Sequence, residues 1–543
     1  MRGLIMDIPL TITEIMRFAE RNYPATEVVS VTGTDPLHRC TYADIFRRAR
    51  QLANALQALD LKPAARIGTL AWNDYRHLEL YYSVSCAGFV LHTVNPRLYH
   101  DQITYIINHA EDDVVFIDPM FVPIVEALVS SFSKPPRWVV LCDADAMPES
   151  SLELTCYETL LEQQSDEFAW PQLDERSASA LCYTSGTTGN PKGVLFSHRG
   201  TVLHSYASCL PNAINLSHND TALPVVPMFH ANAWGMPYSA PMAGAKLVFP
   251  GPKMGDGETL QRLIESERVT LALGVPTVWL GLLAYLRESG KQVTSLDRTV
   301  VGGSACPLAI MHEFKERHGV TTHHAWGMTE MSPLGTLNAP RVDVDKLPAA
   351  ERDVILAKQG GAVFGVDMKI VDDDDNELPW NGTDFGSLKV RGWWVCDGYY
   401  RLEGESEAHD ANGWFETGDV ATVDAAGSMH ITDRTKDVIK TGGEWISSIE
   451  LENVAVGHAA IAEAAVIGVA HKKWAERPLL IAVKAPGTDV EKSELLAWMG
   501  ERVANWWLPD DVVFVDELPH TATGKIHKVT LREQFGDYEL PNQ

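Results

Sequence analysis

The chain lacks several things that would each fix a class of protein. No uninterrupted apolar stretch comes near the roughly 20 residues a membrane-crossing helix needs. Only 8 cysteines are spread over 543 residues. None forms a CxxC, and none pairs with histidines at zinc spacing, so the expectation is reduced, mostly buried thiols in a cytosolic protein. The start, Met1 to Asp7, meets an acid too early for a signal peptide. Positive charge is also scarce: 45 Lys and Arg stand against 72 Asp and Glu, a formal net charge of −27. An acidic surface repels phosphate backbones, which excludes a general nucleic-acid binder. Any anionic ligand must therefore be met by a few local cations. There is no internal repeat, and the only biased tract is Asp372 to Asp375. It lies between two strand-like runs and reads as a solvated hairpin turn, since calcium-loop spacing is absent.

What remains is the composition of a folded protein, 45% hydrophobic and 22% charged, with length for three or four domain-sized pieces at about 150 residues each. Helical spacing over 42–59 and 77–87 alternates with β-branched runs at 66–70, 114–117 and 139–141. This rhythm predicts an α/β architecture with largely parallel sheets. The texture changes near residue 434. Helices at 449–456 and 492–506 and strands at 464–469, 479–483 and 512–515 describe a compact α+β unit of about 110 residues.

The richest segment is Thr184-Ser185-Gly186-Thr187-Thr188-Gly189-Asn190-Pro191-Lys192-Gly193. Glycines let backbone N–H groups approach oxygen closely, hydroxyls add donors, and the ammonium neutralises charge, the needs of a polyphosphate cradle. Lys192 precedes its glycine, and a strand follows, so this is not the P-loop of nucleotide triphosphatases.

This loop resembles the signature of the acyl-adenylate-forming superfamily: acyl-CoA synthetases, peptide-synthetase adenylation domains and firefly luciferase. Further motifs of that superfamily follow in order: Met228-Phe229-His230, Gly302-Gly303-Ser304-Ala305, Trp326-Gly327-Met328-Thr329-Glu330, Thr417-Gly418-Asp419, Asp433-Arg434-Thr435-Lys436-Asp437 and Pro519 to Lys525. The segments His230 to Gly235 and Lys440 to Ser447 most resemble medium-chain fatty acyl-CoA synthetases and methylmercaptopropionate-CoA ligases.

The resemblance implies a large α/β domain of stacked sheets with a β-barrel-like subdomain (1–433), a hinge (434–436) and a small mobile α+β domain (437–543). It implies ATP, Mg²⁺ and coenzyme A as cofactors and a carboxylic acid as substrate. Lys525 would bridge carboxylate and phosphate oxygens during adenylation. Thr184, Ser185, Gly186, Thr187, Thr188, Gly189 and Lys192 would cradle phosphates. Glu330, with Thr184 and Thr329, would hold Mg²⁺. Asp419 and Arg434 would take the ribose, while Gly302 to Ala305 and Trp326 to Met328 would border adenine. Many relatives carry tyrosine where Trp326 stands.

His230 would gate the acyl and thiol paths, with Trp234 and Gly235 walling the acyl pocket. Lys436 would be the pivot that exposes Gly442, Gly443, Glu444 and Trp445 to CoA, and Lys440 would meet pyrophosphate or acyl-phosphate oxygens. The stretch His471 to Arg477, basic in an acidic protein, suggests a contact with CoA phosphates. Trp234, Trp279 and Trp326 hint at a shallow pocket for short or medium acids. A homodimer is an analogy with several relatives only. Other readings left open are an aryl or methylmercaptopropionate ligase, a luciferase-like oxygenase, an acyl-AMP ligase serving a carrier protein and a non-catalytic acyl-nucleotide sensor.

Overall fold

The computed structural model describes residues 1, 3–32, 37–184, 190–402, 408–441, 444–520 and 526–541, with the side chains at 444 and 445 excepted. Two large sheets carry the first two-thirds of the chain. One orders its nine strands as Gly361–Ala362, Leu334–Leu337, Thr321–Gly327, Arg298–Val301, Leu271–Gly274, Thr221–Pro224, Lys246–Phe249, Glu27–Ser30 and His38–Thr41. The other orders seven as Leu154–Cys156, Arg137–Val140, Asp112–Ile117, Arg66–Leu70, Val90–Thr93, Ala178–Tyr183 and Gly193–Ser197. Pairing in their interiors is parallel. Antiparallel pairs stand only towards the sheet ends. The continuous apolar strands of the parallel interior need cover on both faces, and the helices supply it.

Those helices start where the sequence places side-chain acceptors. Thr41 and Asp44 form a capping box at Tyr42–Ala58, Asp74 accepts from the His77 N–H at Tyr75–Cys86, and Ser197 accepts from Gly200 at His198–Ser208. Each such cap satisfies one of the orphan donors at a helix start. The helix expected over 492–506 is shorter, Lys492–Gly500. It stops at a glycine, which loses more backbone freedom in a helix than any other residue.

A four-stranded antiparallel meander, Val366–Val371, Phe385–Gly392, Phe415–Val423 and Met429–Arg434, forms a third layer in the place of the barrel-like subdomain. The acidic run is the turn of its first hairpin. Asp372 accepts from the backbone N–H groups of Asp374 and Asn376. The tail builds its own sheet, Glu444–Ile446, Ile439–Thr441, Ala475–Lys484 and Ile461–His471, with Asp511–Phe514 running parallel beside Ala475–Lys484. Its apolar clusters involve residues 439 onward, whereas those of the large sheets and the meander end at Ile431. All eight cysteines are unpaired, five of them buried. Among the described residues no helix is long and apolar enough to cross a membrane.

Candidate active site

The glycine-rich segment joins Ala178–Tyr183 to Gly193–Ser197, two antiparallel strands with Tyr183 paired to Gly193. Its neck closes on itself: the Thr184 N–H donates to the Lys192 carbonyl at 2.9 Å, and the Lys192 N–H to Thr184 Oγ1 at 3.1 Å. Ser185, Gly186, Thr187, Thr188 and Gly189 lie outside the described residues. A Cβ on Gly193 would meet Leu181, Tyr183 and Tyr400 at 3.1–3.2 Å. That close approach lets the Tyr400 N–H donate to the Gly193 carbonyl at 2.8 Å.

On the neighbouring sheet, Thr321–Gly327 runs into a short 3-10 turn, Thr329–Met331. Gly327 is obligatory there, because a Cβ would sit 1.9 Å from the Pro333 carbonyl. The turn buries Thr329 and Glu330. Tyr399 donates its phenol proton to Glu330 Oε1 at 2.9 Å, and the Cys396 N–H donates to the Glu330 carbonyl at 2.8 Å. Burial, then the Glu330 charge, raises the Tyr399 pKa, so the phenol remains a donor. Among the described residues no set of three His, Cys, Asp or Glu could hold a metal by itself. One carboxylate beside hydroxyls and incoming phosphates is nevertheless a donor set that suits Mg²⁺, which keeps waters and borrows substrate oxygens.

The ribose candidate is the most enclosed. Asp419 is only 2% exposed, and its Oδ2 accepts from Trp326 Nε1 at 2.8 Å while Oδ1 lies 2.6 Å from Arg434 Nε. The Asp419 N–H donates to Thr417 Oγ1 at 3.1 Å. Trp326 packs against Gly335, where a Cβ would come within 2.6 Å of the ring. At Gly302 a Cβ would stand 3.0 Å from the Ala325 carbonyl and 3.1 Å from the Trp234 ring. Gly303 adopts φ +82°, a conformation glycine reaches without strain. Gly302 therefore stands between Trp234 and the strand of Ala325 and Trp326, whose indole N–H reaches Asp419.

His230 borders a narrow crevice with Thr184, Tyr183, Phe229 and Asn95. After it the backbone does something composition does not foretell. Ala231, Asn232, Ala233 and Trp234 all take positive φ, 41° to 54°, ahead of Gly235 at 79°. Left-handed residues other than glycine cost about 1–2 kcal/mol each, so this turn is held by its surroundings. Tyr81 donates to Asn232 Oδ1 at 3.2 Å, and Cys182 Sγ lies 3.3 Å from the same oxygen. The turn is what delivers Trp234 to Gly302.

Two expectations shift. Trp279 is no pocket wall: it is fully buried, donates to the Gly274 carbonyl and stacks edge-on against Phe314 in the core. Arg477 is not offered to a ligand either. It reaches Asp510 at 2.6 Å and the carbonyls of Trp506 and Leu508, which leaves Lys472 and Lys473 as the exposed cations of that turn.

In the small unit, Lys440 and Glu444–Ile446 share a hairpin, and the Lys440 N–H donates to Glu476. Gly442, Gly443 and the side chains of Glu444 and Trp445 lie outside the described residues. So does Lys525, whose loop is bracketed by an antiparallel bridge between His520 and Ile526. Lys436 follows Thr435, whose N–H donates to Gly418 at 3.0 Å, next to Asp419. The residues the sequence did not flag are Tyr399 and Tyr400. Their only signal is a Gly-Tyr-Tyr run, and nothing in its spacing points at a nucleotide.

The AMP-binding enzyme family model matches residues 16–400, and that of the AMP-binding enzyme C-terminal domain matches 450–525. The chain belongs to the AMP-binding enzyme family. Within this acyl-adenylate-forming family it is 52% identical to a 3-methylmercaptopropionyl-CoA ligase of Ruegeria lacuscaerulensis over 99% of both chains. It is 50% identical to a medium-chain-fatty-acid–CoA ligase of Ectopseudomonas oleovorans, over 99% of this chain and 98% of that one. Such full-length likeness makes it an AMP-binding enzyme of the acyl-CoA synthetase type. The fold agrees with an anthranilate CoA ligase solved with anthranoyl-AMP, at TM-score 0.86, 24% identity and 97% and 98% coverage. It also agrees with ATP-bound MatB from Rhodopseudomonas palustris, at TM-score 0.82, 25% identity and 98% and 99% coverage.

Proposed function

We propose that this AMP-binding enzyme joins a medium-chain fatty acid to coenzyme A through an acyl-AMP intermediate. The observation that carries the reading is the buried Asp419 carboxylate, fixed by Trp326 and Arg434, with Gly302 and Trp234 packed beside the strand that carries Trp326. A desolvated acceptor aimed by two donors suits ribose hydroxyls, and the adjoining aromatic wall suits an apolar acyl chain.

In the first half-reaction a carboxylate oxygen bonds to the ATP α-phosphorus and pyrophosphate leaves. Lys192 and the loop hydroxyls bind the departing phosphates, and Lys525 neutralises charge passing between carboxylate and phosphate, a task a compact ammonium performs without fixed geometry. Mg²⁺, held by Glu330 with Thr184 and Thr329, would supply charge neutralisation on the phosphates. In the second half-reaction the CoA sulfur bonds to the acyl carbon, its proton is lost, and AMP leaves as the mixed anhydride breaks. Residues 437–543 turn about Lys436 between the two, bringing the hairpin of Lys440 to Trp445 to the pantetheine arm. Eight unpaired cysteines suit a cytoplasmic location.

A second reading, 3-methylmercaptopropionate as the acid, is favoured by two relatives of that name at 52% and 51% identity. A buried CH₂ contributes about 0.8 kcal/mol, so a panel of straight-chain acids with the thioether acid separates the readings by pyrophosphate release, with and without CoA. The best turnover is expected on a medium-chain acid, with free acyl-CoA formed only when CoA is present. Pyrophosphate release without acyl-CoA would point to a carrier-protein ligase. Lys525→Ala is expected to lose about 10²–10³-fold or more in acyl-AMP formation, the scale of one charge-stabilising donor. Near-normal pyrophosphate release from that variant would refute its role.

A further inference from the structure

Lys192 and Glu330 carry opposite charge and are both committed, on the reading above, to one triphosphate and its metal. Left side by side in a site without nucleotide, such groups pair, and the ligand must then break that pair to enter. Among the described residues neither makes an ion pair. Each instead meets Tyr399. The Lys192 ammonium lies 4.9 Å from the centre of the Tyr399 ring, over its electron-rich face. The phenol proton of the same residue is given to Glu330 Oε1 at 2.9 Å. No described donor reaches Oε2, the oxygen left for a hard cation.

The backbone sets this arrangement. The Cys396 N–H is bonded to the Glu330 carbonyl and the Tyr400 N–H to the carbonyl of Gly193, both at 2.8 Å. Tyr399 thus sits on a five-residue strut whose ends are tied to Glu330 itself and to the residue after Lys192. A pure spacer would need only bulk. This one offers a cation its ring face and a carboxylate its hydroxyl, so each neighbour is held by the part of the side chain that complements its charge.

We propose that Tyr399 is a positioning residue that keeps the loop lysine and the metal carboxylate apart and aimed, so that Mg·ATP enters a preset gap. The inference rests on the ligase reading for the identity of the ligand. It predicts a split between two substitutions. Tyr399→Phe keeps the ring under Lys192 and loses only the hydrogen bond to Glu330. The expected result is an about tenfold higher Mg²⁺ half-saturation, since a hydrogen bond to a charged group carries roughly that factor, with binding of metal-free ATP unchanged. Tyr399→Leu loses both supports, and metal-free ATP binding should then weaken as well.

The decisive measurement is calorimetric titration of the full chain with ATP, with and without Mg²⁺, in the absence of any acid, alongside the Mg²⁺ dependence of pyrophosphate release. A Tyr399→Phe chain with wild-type Mg²⁺ dependence overturns the proposal. So does equal weakening of metal-free ATP and Mg·ATP, which would mark a merely structural side chain. Because titration needs no turnover, a wild-type chain that binds Mg·ATP yet activates no acid sinks the ligase reading, while the Tyr399→Phe titration still decides this one.

Discussion

Trp326 acts through two parts of one ring. Its six-membered ring packs against Gly335, while its N–H fixes the Asp419 carboxylate at 2.8 Å. Trp326→Phe keeps a six-membered ring and removes the donor. A hydrogen bond to a charged group is worth about 1.5–3 kcal/mol, and each 1.4 kcal/mol is about tenfold in binding. The variant is expected to raise the KM for ATP about tenfold and leave the KM for the acid within about twofold; steady-state kinetics with each substrate varied in turn checks this. Gly302→Ala should reach both substrates. Its Cβ would press on the Trp234 ring at 3.1 Å and on the Ala325 carbonyl at 3.0 Å. Overpacking of about 1 kcal/mol should appear as an about fivefold higher KM for the acid together with a higher KM for ATP. An unchanged KM for the acid would count against an acyl-side Trp234.

At the scale of elements, the segment Asp433 to Asp437 is gripped from two sides. Arg434 pairs with Asp419 and Thr435 bonds to Gly418, both in the meander. Asp433 instead reaches into the small unit: its carboxylate accepts from the Ser448 N–H at 2.6 Å and from Ser448 Oγ at 3.0 Å, at the start of Ser448–Val456. Lys528 donates to the same Ser448 Oγ at 2.6 Å and pairs with Glu452 at 2.7 Å. Burial raises the Asp433 pKa, with Lys528 pulling the other way. Asp437 pairs with Arg532 in Lys528–Phe535. A pivot at Lys436 would keep the Asp437–Arg532 pair and break the one between Asp433 and Ser448. Asp433→Asn is therefore expected to change the ratio of acyl-AMP formation to thioester formation, and Arg532→Met to leave that ratio unchanged. Rapid-quench measurement of each half-reaction tests the pair; equal ratios in both variants would count against a role for the Asp433–Ser448 contact in the rotation. Lys436→Pro, by fixing φ, should spare adenylation and cripple the thiol step. Equal loss in both steps would count against the pivot.

For the whole molecule, two sets of apolar clusters, ending at Ile431 and beginning at Ile439, imply two cooperative units. The proposed nucleotide contacts from Thr184 to Arg434 precede Lys436. Saturating Mg·ATP at about 100 times its Kd should stabilise the larger unit by about 2.7 kcal/mol. Scanning calorimetry is expected to show its transition move up while that of the small unit moves less. One transition shifting as a block would mean that the units melt together.

The strand–loop–strand at Tyr183 to Gly193, the helix starts at Thr41 and Ser447 and the change of texture near 434 are local matters. Glycine freedom, side-chain caps and hydrophobic period act over a few residues, so the sequence by itself determined them, along with the motif order that marks the family. Tertiary structure decided the partners. Trp326 meets Asp419 across 93 residues and Tyr399 meets Glu330 across 69, and no local pattern encodes which distant group a ring N–H or a phenol will find. The same holds for Trp279 in the core and Arg477 turned inward onto Asp510. A tryptophan is apolar wherever it sits and an arginine is charged wherever it sits; only packing settles whether a ligand or the protein itself satisfies them.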